Sequence, residues 1–173
     1  MKRIFLILFS ILILLIGAAW SYEKSPNQNI KFTEKPVVFE ELPTSVNIYE
    51  YILKYSEKYN VPISISLGVA RLETSYLGIF HWSYNPIQTS YAAAYGIMQI
   101  QEPTASYIQK RNVTKDELLY NYEFNIETSI KYLSILYDRY SDWQKALGYY
   151  HTGYPIVNWY ALNVTQGIKS TDG

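Results

Sequence analysis

The stretch PISISLGVARLET, residues 62–74, decides the fold class of this chain. Pro62 suits the first turn of a helix, because its fixed φ is helical. The N–H groups of the first turn have no acceptor within the helix, so the lack of an N–H in proline costs nothing there. Apolar residues then recur at helical intervals and widen one face: Ile63, Ile65, Leu67, Val69 and Ala70. The pattern predicts a largely buried helix that ends near Thr74.

Segments on both sides of this stretch also carry helical signals. Apolar spacing predicts an amphipathic helix over 45–59. Further helices are predicted from Pro103 to about Arg111, over 116–120, from a cap at Asn125 to Tyr140, and from a cap at Asp142 to about Tyr150. Residues 77–95 lack a helical period, which predicts a loop with room for a small irregular hairpin. The fold class predicted from these signals is all-α.

The first 20 residues have the pattern of an export segment. Lys2 and Arg3 precede an uncharged run from Ile4 to Trp20, which is typical of a signal peptide, and small residues would allow cleavage after Ala19. The alternative is an uncleaved membrane anchor of 17 residues, at the short limit of a membrane span. Both interpretations predict that the rest of the chain is exported, to the periplasm or cell envelope.

The rest of the chain is predicted to have three parts. Residues 21–44 contain three prolines and no sustained period, which indicates a linker. Residues 45–163 form the folded body, and residues 164–173 are predicted to be a flexible tail.

Composition excludes several classes of protein. The 173 residues contain no Cys, which excludes disulfide scaffolds, zinc–thiolate sites and thiol nucleophiles. The 15 Lys and Arg balance 15 Asp and Glu, which argues against a nucleic-acid partner. With only two His, no metal site is predicted, and no motif indicates a cofactor. The 19 Tyr suit either a half-hydrated core or a carbohydrate groove.

Glu73 is the first candidate functional residue. It lies at the end of the buried helix, where desolvation and the helix C-terminus both disfavour an anion and raise a carboxyl pKa. A carboxyl that stays protonated near neutrality is a general acid. The alternative is a surface Glu paired with Arg71 or a Lys, and for Glu73 taken alone it is preferred.

Two later clusters offer groups for binding. In Gly96-Ile97-Met98-Gln99, glycine permits close backbone approach, Met98 is apolar filler, and the Gln99 amide suits sugar hydroxyls. An ordinary turn explains this cluster equally well. Tyr149 and Tyr150 end the last predicted helix, where a hydroxyl would lie near Glu73 or a substrate. A packed core aromatic is the alternative, and for Tyr149 it is preferred.

In this order, the clusters resemble the catalytic domain of the soluble lytic transglycosylases, a lysozyme-like superfamily. The resemblance covers most of residues 45–155. Four segments match motifs of the family. Residues Tyr59 to Thr74 match its entry turn and Glu-Ser motif, and residues Gly96 to Ile100 match its Gly-Leu-Met-Gln-Ile/Leu motif. Residues Asn125 to Leu133 match its Asn-Ile…Tyr-Leu helix, and residues Tyr150 to Gly153 match its Tyr-Asn-Ala-Gly motif. The resemblance implies a lysozyme-like helical domain with a groove.

The resemblance also implies a mechanism. Glu73 would be the single acid/base that cleaves the bond between N-acetylmuramic acid and N-acetylglucosamine, with the muramoyl C6 hydroxyl as nucleophile and a 1,6-anhydro product. The implied substrate-binding residues are Thr74, Gly96, Met98, Gln99, Tyr150 and His151. The implied partner is the glycan strand of peptidoglycan, together with a membrane or cell-envelope complex, and neither a metal nor a cofactor is required.

Departures from the family pattern leave two alternatives open. Thr74 replaces the usual Ser, and His151 replaces the Asn of the last motif. One alternative is a hydrolytic muramidase, which would need a second carboxylate; Glu102 and Asp138 have no other assigned role. The other is a non-catalytic module that binds glycan or assembles with an envelope complex.

Overall fold

A computed structural model describes residues 43–169, with side chains described as far as Gln166. The predicted signal peptide or anchor at 1–20, residues 21–42 of the predicted linker, and residues 170–173 lie outside the described residues. Within 43–169, no helix combines the length and the apolar character needed to cross a membrane.

The described residues fold into seven helices and a two-stranded hairpin. The helices are α1 (Thr44–Lys58), α2 (Ile63–Thr74), α3 (Glu102–Gln109), α4 (Lys115–Tyr120), α5 (Tyr122–Tyr140), α6 (Trp143–Thr152) and α7 (Trp159–Lys169). Strand β1 (Ala94–Tyr95) pairs antiparallel with β2 (Ile100–Gln101). The predicted all-α fold class is confirmed. The hairpin lies at the end of the long loop instead of within it.

Helix α2 lies in the main hydrophobic core, as its sequence predicts. Its apolar residues divide into the fully buried Ile65, Val69 and Ala70 and the partly buried Ile63 and Leu67. Helix α7 packs along α2, and a Cβ on Gly68 would lie 2.9 Å from Val164 Cγ1. The missing side chain at Gly68 therefore allows the close approach of α7.

Helix α7 is the main difference from the sequence prediction. The sequence predicts that the folded body ends at residue 163 and that a flexible tail covers 164–173. Instead, α7 continues to Lys169, and Val164 is fully buried in the main core. The predicted boundary therefore falls inside a helix that contributes to the core.

The connection from α6 to α7 is held tightly against α6. Gly153 ends α6 in the left-handed conformation, with φ 78°. A Cβ on Gly148 would lie 1.8 Å from the Ile156 carbonyl oxygen, so the backbone of the connection contacts the helix directly. The Asn158 side chain then accepts a hydrogen bond from the Ala161 N–H at 3.0 Å and caps the first turn of α7.

Asn125 has a different role from the predicted helix cap. The cap of α5 is Asn121, whose side chain accepts a backbone N–H of the first turn. Asn125 lies one turn further on and is fully buried. Its amide donates to the carbonyls of Tyr95 (2.8 Å) and Leu118 (3.0 Å), and its oxygen accepts the Met98 N–H at 3.1 Å. These bonds join α5 to the hairpin and to α4.

Candidate active site

A cleft of about 630 Å³ opens beside the end of α2. Its lining comes from the long loop, the hairpin, the start of α3, and helices α5 and α6. Of the residues proposed from sequence, the cleft brings together Glu73, Gln99, Tyr150 and His151. Thr74, Gly96 and Met98 do not line it.

Glu73 occupies the last turn of α2, directly before the helix ends. Ser75 ends α2 in the left-handed conformation at φ 62° and turns the chain away. The Glu73 backbone carbonyl accepts a hydrogen bond from Gln88 Nε2 at 3.0 Å, which ties the long loop to this turn. The side chain lines the cleft, where Oε1 accepts a hydrogen bond from the Tyr160 hydroxyl at 2.6 Å.

Burial raises the pKa of Glu73 from 4.5 to about 7. The hydrogen bond from Tyr160 opposes this shift, because it stabilises the carboxylate, but burial is the larger effect. The sequence predicts this direction. A pKa near 7 allows the carboxyl to give up a proton and to take one back in the same pH range.

Three residues predicted to contact substrate instead pack beneath the lining of the cleft. They are Thr74, Gly96 and Met98, and their predicted contact with substrate is corrected accordingly. The Thr74 hydroxyl is buried and lies 3.0 Å from the Ile97 carbonyl, to which it donates. Met98 is fully buried. Gly96 has φ 76°, and a Cβ there would lie 2.4 Å from Asn125 Nδ2, so the close approach that it permits is to Asn125 and not to a ligand.

Gln99 lines the cleft, but the N–H groups of its amide are already bonded to the backbone. Its Nε2 donates to the Gln88 and Gly96 carbonyls, both at 2.8 Å. Its Oε1 is buried and has no hydrogen-bond partner among the described residues. A buried amide oxygen without a partner is costly, so a donor from a bound ligand would relieve that cost.

Tyr150 lines the cleft at the end of α6. Its hydroxyl donates to the Met98 carbonyl at 2.7 Å and so joins α6 to the hairpin turn. Burial raises the pKa of Tyr150 far above 10, so the hydroxyl remains a donor. His151 follows it and is exposed, with its ring stacked on Tyr160.

Tyr160 is a residue of this site that the sequence motifs do not identify. It is 2% exposed and contacts Glu73 across 87 positions of the chain. The segment around it was not predicted to be helical. The one available signal was the spacing of Tyr160, Ala161 and Val164, which fits the buried face of a short helix.

The described residues contain no group of three or more His, Cys, Asp or Glu side chains placed to hold a metal ion. The side chains that line the cleft include a carboxyl with a pKa near 7, tyrosine hydroxyls, an amide and an imidazole.

Curated relatives with similar sequences are membrane-bound lytic murein transglycosylases C. The protein of this name from Histophilus somni (strain 2336) is 32% identical over 96 residues, which is 53% of this chain and 24% of the relative. Its counterpart from Haemophilus influenzae (strain PittEE) is 28% identical over 119 residues, covering 65% of this chain and 31% of the relative. The matched region thus spans only about a quarter to a third of these relatives.

Solved structures of lytic transglycosylases share the fold. The 70-kDa soluble lytic transglycosylase of Escherichia coli matches with a TM-score of 0.51 at 22% identity, over 76% of this chain and 19% of that one. An inactive mutant of the lytic transglycosylase Slt of Pseudomonas aeruginosa matches with a TM-score of 0.51 at 16% identity, over 60% and 16% of the two chains.

The family described as Transglycosylase SLT domain matches residues 50–170. This range begins within α1 and extends just past the last residue of α7. It contains Glu73, the hairpin, Asn125 and Tyr160, and so includes the cleft and the residues that support it. The chain belongs to the transglycosylase SLT domain family.

Proposed function

We propose that this domain is a lytic transglycosylase, which cleaves the β-1,4 bond between N-acetylmuramic acid and N-acetylglucosamine in peptidoglycan. Glu73 is its single acid/base, and the product is a 1,6-anhydro-muramoyl end. The observation that carries the proposal is that Glu73 is the only carboxylate lining the cleft in the described part of the chain.

A hydrolase that uses two carboxylates would need a partner for Glu73 across the sugar ring. The two residues considered for that role do not line the cleft. The Glu102 carboxylate accepts the Lys115 N–H at 2.6 Å, at the start of α4. Asp138 is exposed on α5. A reaction in which the substrate supplies its own nucleophile fits this arrangement better.

The proposed reaction balances with Glu73 alone. Protonated Glu73 donates its proton to the glycosidic oxygen, and the bond from that oxygen to C1 of the muramoyl residue breaks. The C6 hydroxyl of the same residue attacks C1 and loses its proton to the Glu73 carboxylate. Glu73 is thereby restored to its protonated form, and no water is consumed.

Other residues at the site also have proposed roles. Because Tyr160 donates to Oε1 of Glu73, the other carboxyl oxygen remains available to carry the proton. The Oε1 of Gln99 would accept an N–H or hydroxyl of the glycan strand. Tyr150 keeps the hairpin turn, and with it Gln99, against α6.

The proposed location is the cell envelope. The relatives are named as membrane-bound, and the uncharged run from Ile4 to Trp20 suits either export or anchoring. Glycan strands are the proposed partner there, with a membrane or envelope complex as a further one.

The test is digestion of purified peptidoglycan by the full chain, with the products identified by mass spectrometry. We compare the native chain with Glu73→Gln and with Glu57→Gln, an exposed position on α1. Anhydro-muramoyl ends that are lost only in Glu73→Gln would support the proposal. Reducing muramoyl ends would indicate a hydrolase. Co-sedimentation of all three proteins with uncut wall would indicate a binding module.

A further inference from the structure

His151 covers the residue that orients Glu73. The imidazole lies parallel to the Tyr160 ring, with 3° between the planes and 4.5 Å between the centroids. The edge of the same imidazole meets Trp159, at 5.6 Å between centroids. The hydroxyl of Tyr160 in turn donates a hydrogen bond to Glu73 Oε1 at 2.6 Å. His151, Tyr160 and Glu73 therefore form one contiguous set from the protein surface to the carboxyl.

We propose that His151 is a capping residue: its ring covers Tyr160 and thereby limits the access of water to the Glu73 carboxyl. This inference rests on the proposed function, since it assigns a role within the same site. It replaces the direct substrate contact expected of His151 from the sequence.

Burial supports a capping role. Tyr160 is 2% exposed, although its neighbours His151 and Trp159 are both exposed. The two exposed rings are thus the layer that separates the phenol from water. Removing the imidazole would expose the face of the Tyr160 ring and open a path for water to Glu73.

The charges around the site also fit this role. Among the described cleft-lining residues there is no Lys, Arg or Asp, and Glu73 is the only carboxylate. The arginine of α2, Arg71, donates to the Asn163 carbonyl on α7. The titratable groups of α6 and α7 that line the cleft or stack on His151 are Tyr149, Tyr150 and Tyr160. Desolvation lowers the pKa of His151, which favours the neutral form of the imidazole.

The capping role has a measurable consequence in the protein without substrate. The pKa of Glu73 is raised to about 7 by burial, so hydration of the site should lower it. His151→Ala should lower this pKa by about one pH unit. His151→Phe restores an uncharged ring over Tyr160 and should leave the pKa close to that of the native protein.

The experiment is a ¹³C NMR titration of the Glu side-chain carboxyls in the full native chain, His151→Ala and His151→Phe. Glu73→Gln identifies the Glu73 resonance. Thermal unfolding of each variant checks that it is folded. A lowered pKa in His151→Ala together with a native pKa in His151→Phe supports the proposal. An unchanged pKa in His151→Ala, or an equal decrease in both variants, overturns it.

This titration does not depend on catalysis, so it separates failure of the capping role from failure of the proposed function. If peptidoglycan is cleaved, the pH profile of kcat/KM gives a second readout. At pH 7 a pKa lower by about one unit reduces the protonated fraction of Glu73 about fivefold. His151→Ala should therefore lose about fivefold in kcat/KM at pH 7 and recover most of this loss at pH 5.5, whereas the midpoint of the His151→Phe profile should stay at the native pH.

Discussion

The Asn125 side chain occupies the space that a Cβ on Gly96 would need. A Cβ at residue 96 would lie 2.4 Å from Asn125 Nδ2. The same amide donates to the Tyr95 carbonyl at 2.8 Å, and its oxygen accepts the Met98 N–H at 3.1 Å. Gly96 and Asn125 are 29 positions apart in the sequence, and their contact connects α5 to the hairpin that holds Gln99.

Asn125→Ala should destabilise the domain by about 2–3 kcal/mol, because it leaves buried backbone groups at Tyr95, Met98 and Leu118 without partners. Urea unfolding at pH 7 measures the loss. Asn121→Ala is the matched control, since it removes an exposed helix cap from the same helix and should cost about 1 kcal/mol. Equal losses of unfolding free energy in the two variants would contradict the role of Asn125 in connecting α5 to the hairpin.

Much of the fold could be predicted because its signals are local. The periodic apolar residues of α1, α2 and α5 identify helices wherever they later pack. Helix α7 could not be predicted in this way. Its buried residues, Tyr160, Ala161 and Val164, are few, and the preceding Pro155 suggests the end of regular structure. Its stability comes from packing on α2 and α6, which the sequence does not display.

The candidate site was predicted in part for a similar reason. Glu73 could be singled out because the end of a buried helix is a local feature that perturbs a carboxyl, but its catalytic role was inferred only from the later motifs and the family resemblance. A motif, by contrast, names a residue without telling whether its side chain faces the cleft or the core. Gln99 lines the cleft, whereas the adjacent Met98 is fully buried. Tyr160 is distant in sequence and meets Glu73 only through the tertiary fold.

Replacing Glu73 by Gln should stabilise the protein increasingly as pH rises. In the folded protein the Glu73 pKa is about 7, against 4.5 ordinarily, so between these values the folded state binds more protons than the unfolded state. This group's contribution to stability is complete below pH 4.5 and is lost as pH rises through 7. Glu73→Gln has no carboxyl to ionise and avoids this loss.

Urea unfolding at pH 5 and pH 8 measures the effect. The free energy of unfolding of Glu73→Gln, relative to the native protein, should increase by about 1–3 kcal/mol from the lower to the higher pH. Glu57→Gln on α1 provides the comparison for replacing an exposed Glu. A constant difference between Glu73→Gln and the native protein would show that burial does not perturb Glu73.

Tyr160→Phe should reduce kcat about 10- to 100-fold, because a hydrogen bond to a carboxylate contributes about 1.5–3 kcal/mol. The ring remains to stack on His151, so the variant removes only the donor to Glu73. Loss of that donor should also raise the Glu73 pKa further, since the hydrogen bond lowers it. The optimum of cleavage should move to higher pH.

Tyr107→Phe, at a 72% exposed position on α3, is the control. A pH profile of Tyr160→Phe equal to that of Tyr107→Phe would refute the role of the Tyr160 hydroxyl.

Gly148→Ala should destabilise the fold and reduce activity together. The added Cβ would lie 1.8 Å from the Ile156 carbonyl oxygen, a backbone atom that moves only if the whole connection between α6 and α7 moves. The overlap should cost about 3 kcal/mol, and displacement of α7 should carry Tyr160 away from Glu73. Gly153→Ala, in the same connection, is the matched variant: nothing lies within 4 Å of its Cβ, so it meets only the strain of φ 78°, about 1–2 kcal/mol. Urea unfolding compares the two losses, and an equal or smaller loss in Gly148→Ala would mean that the connection is not held against α6 as described.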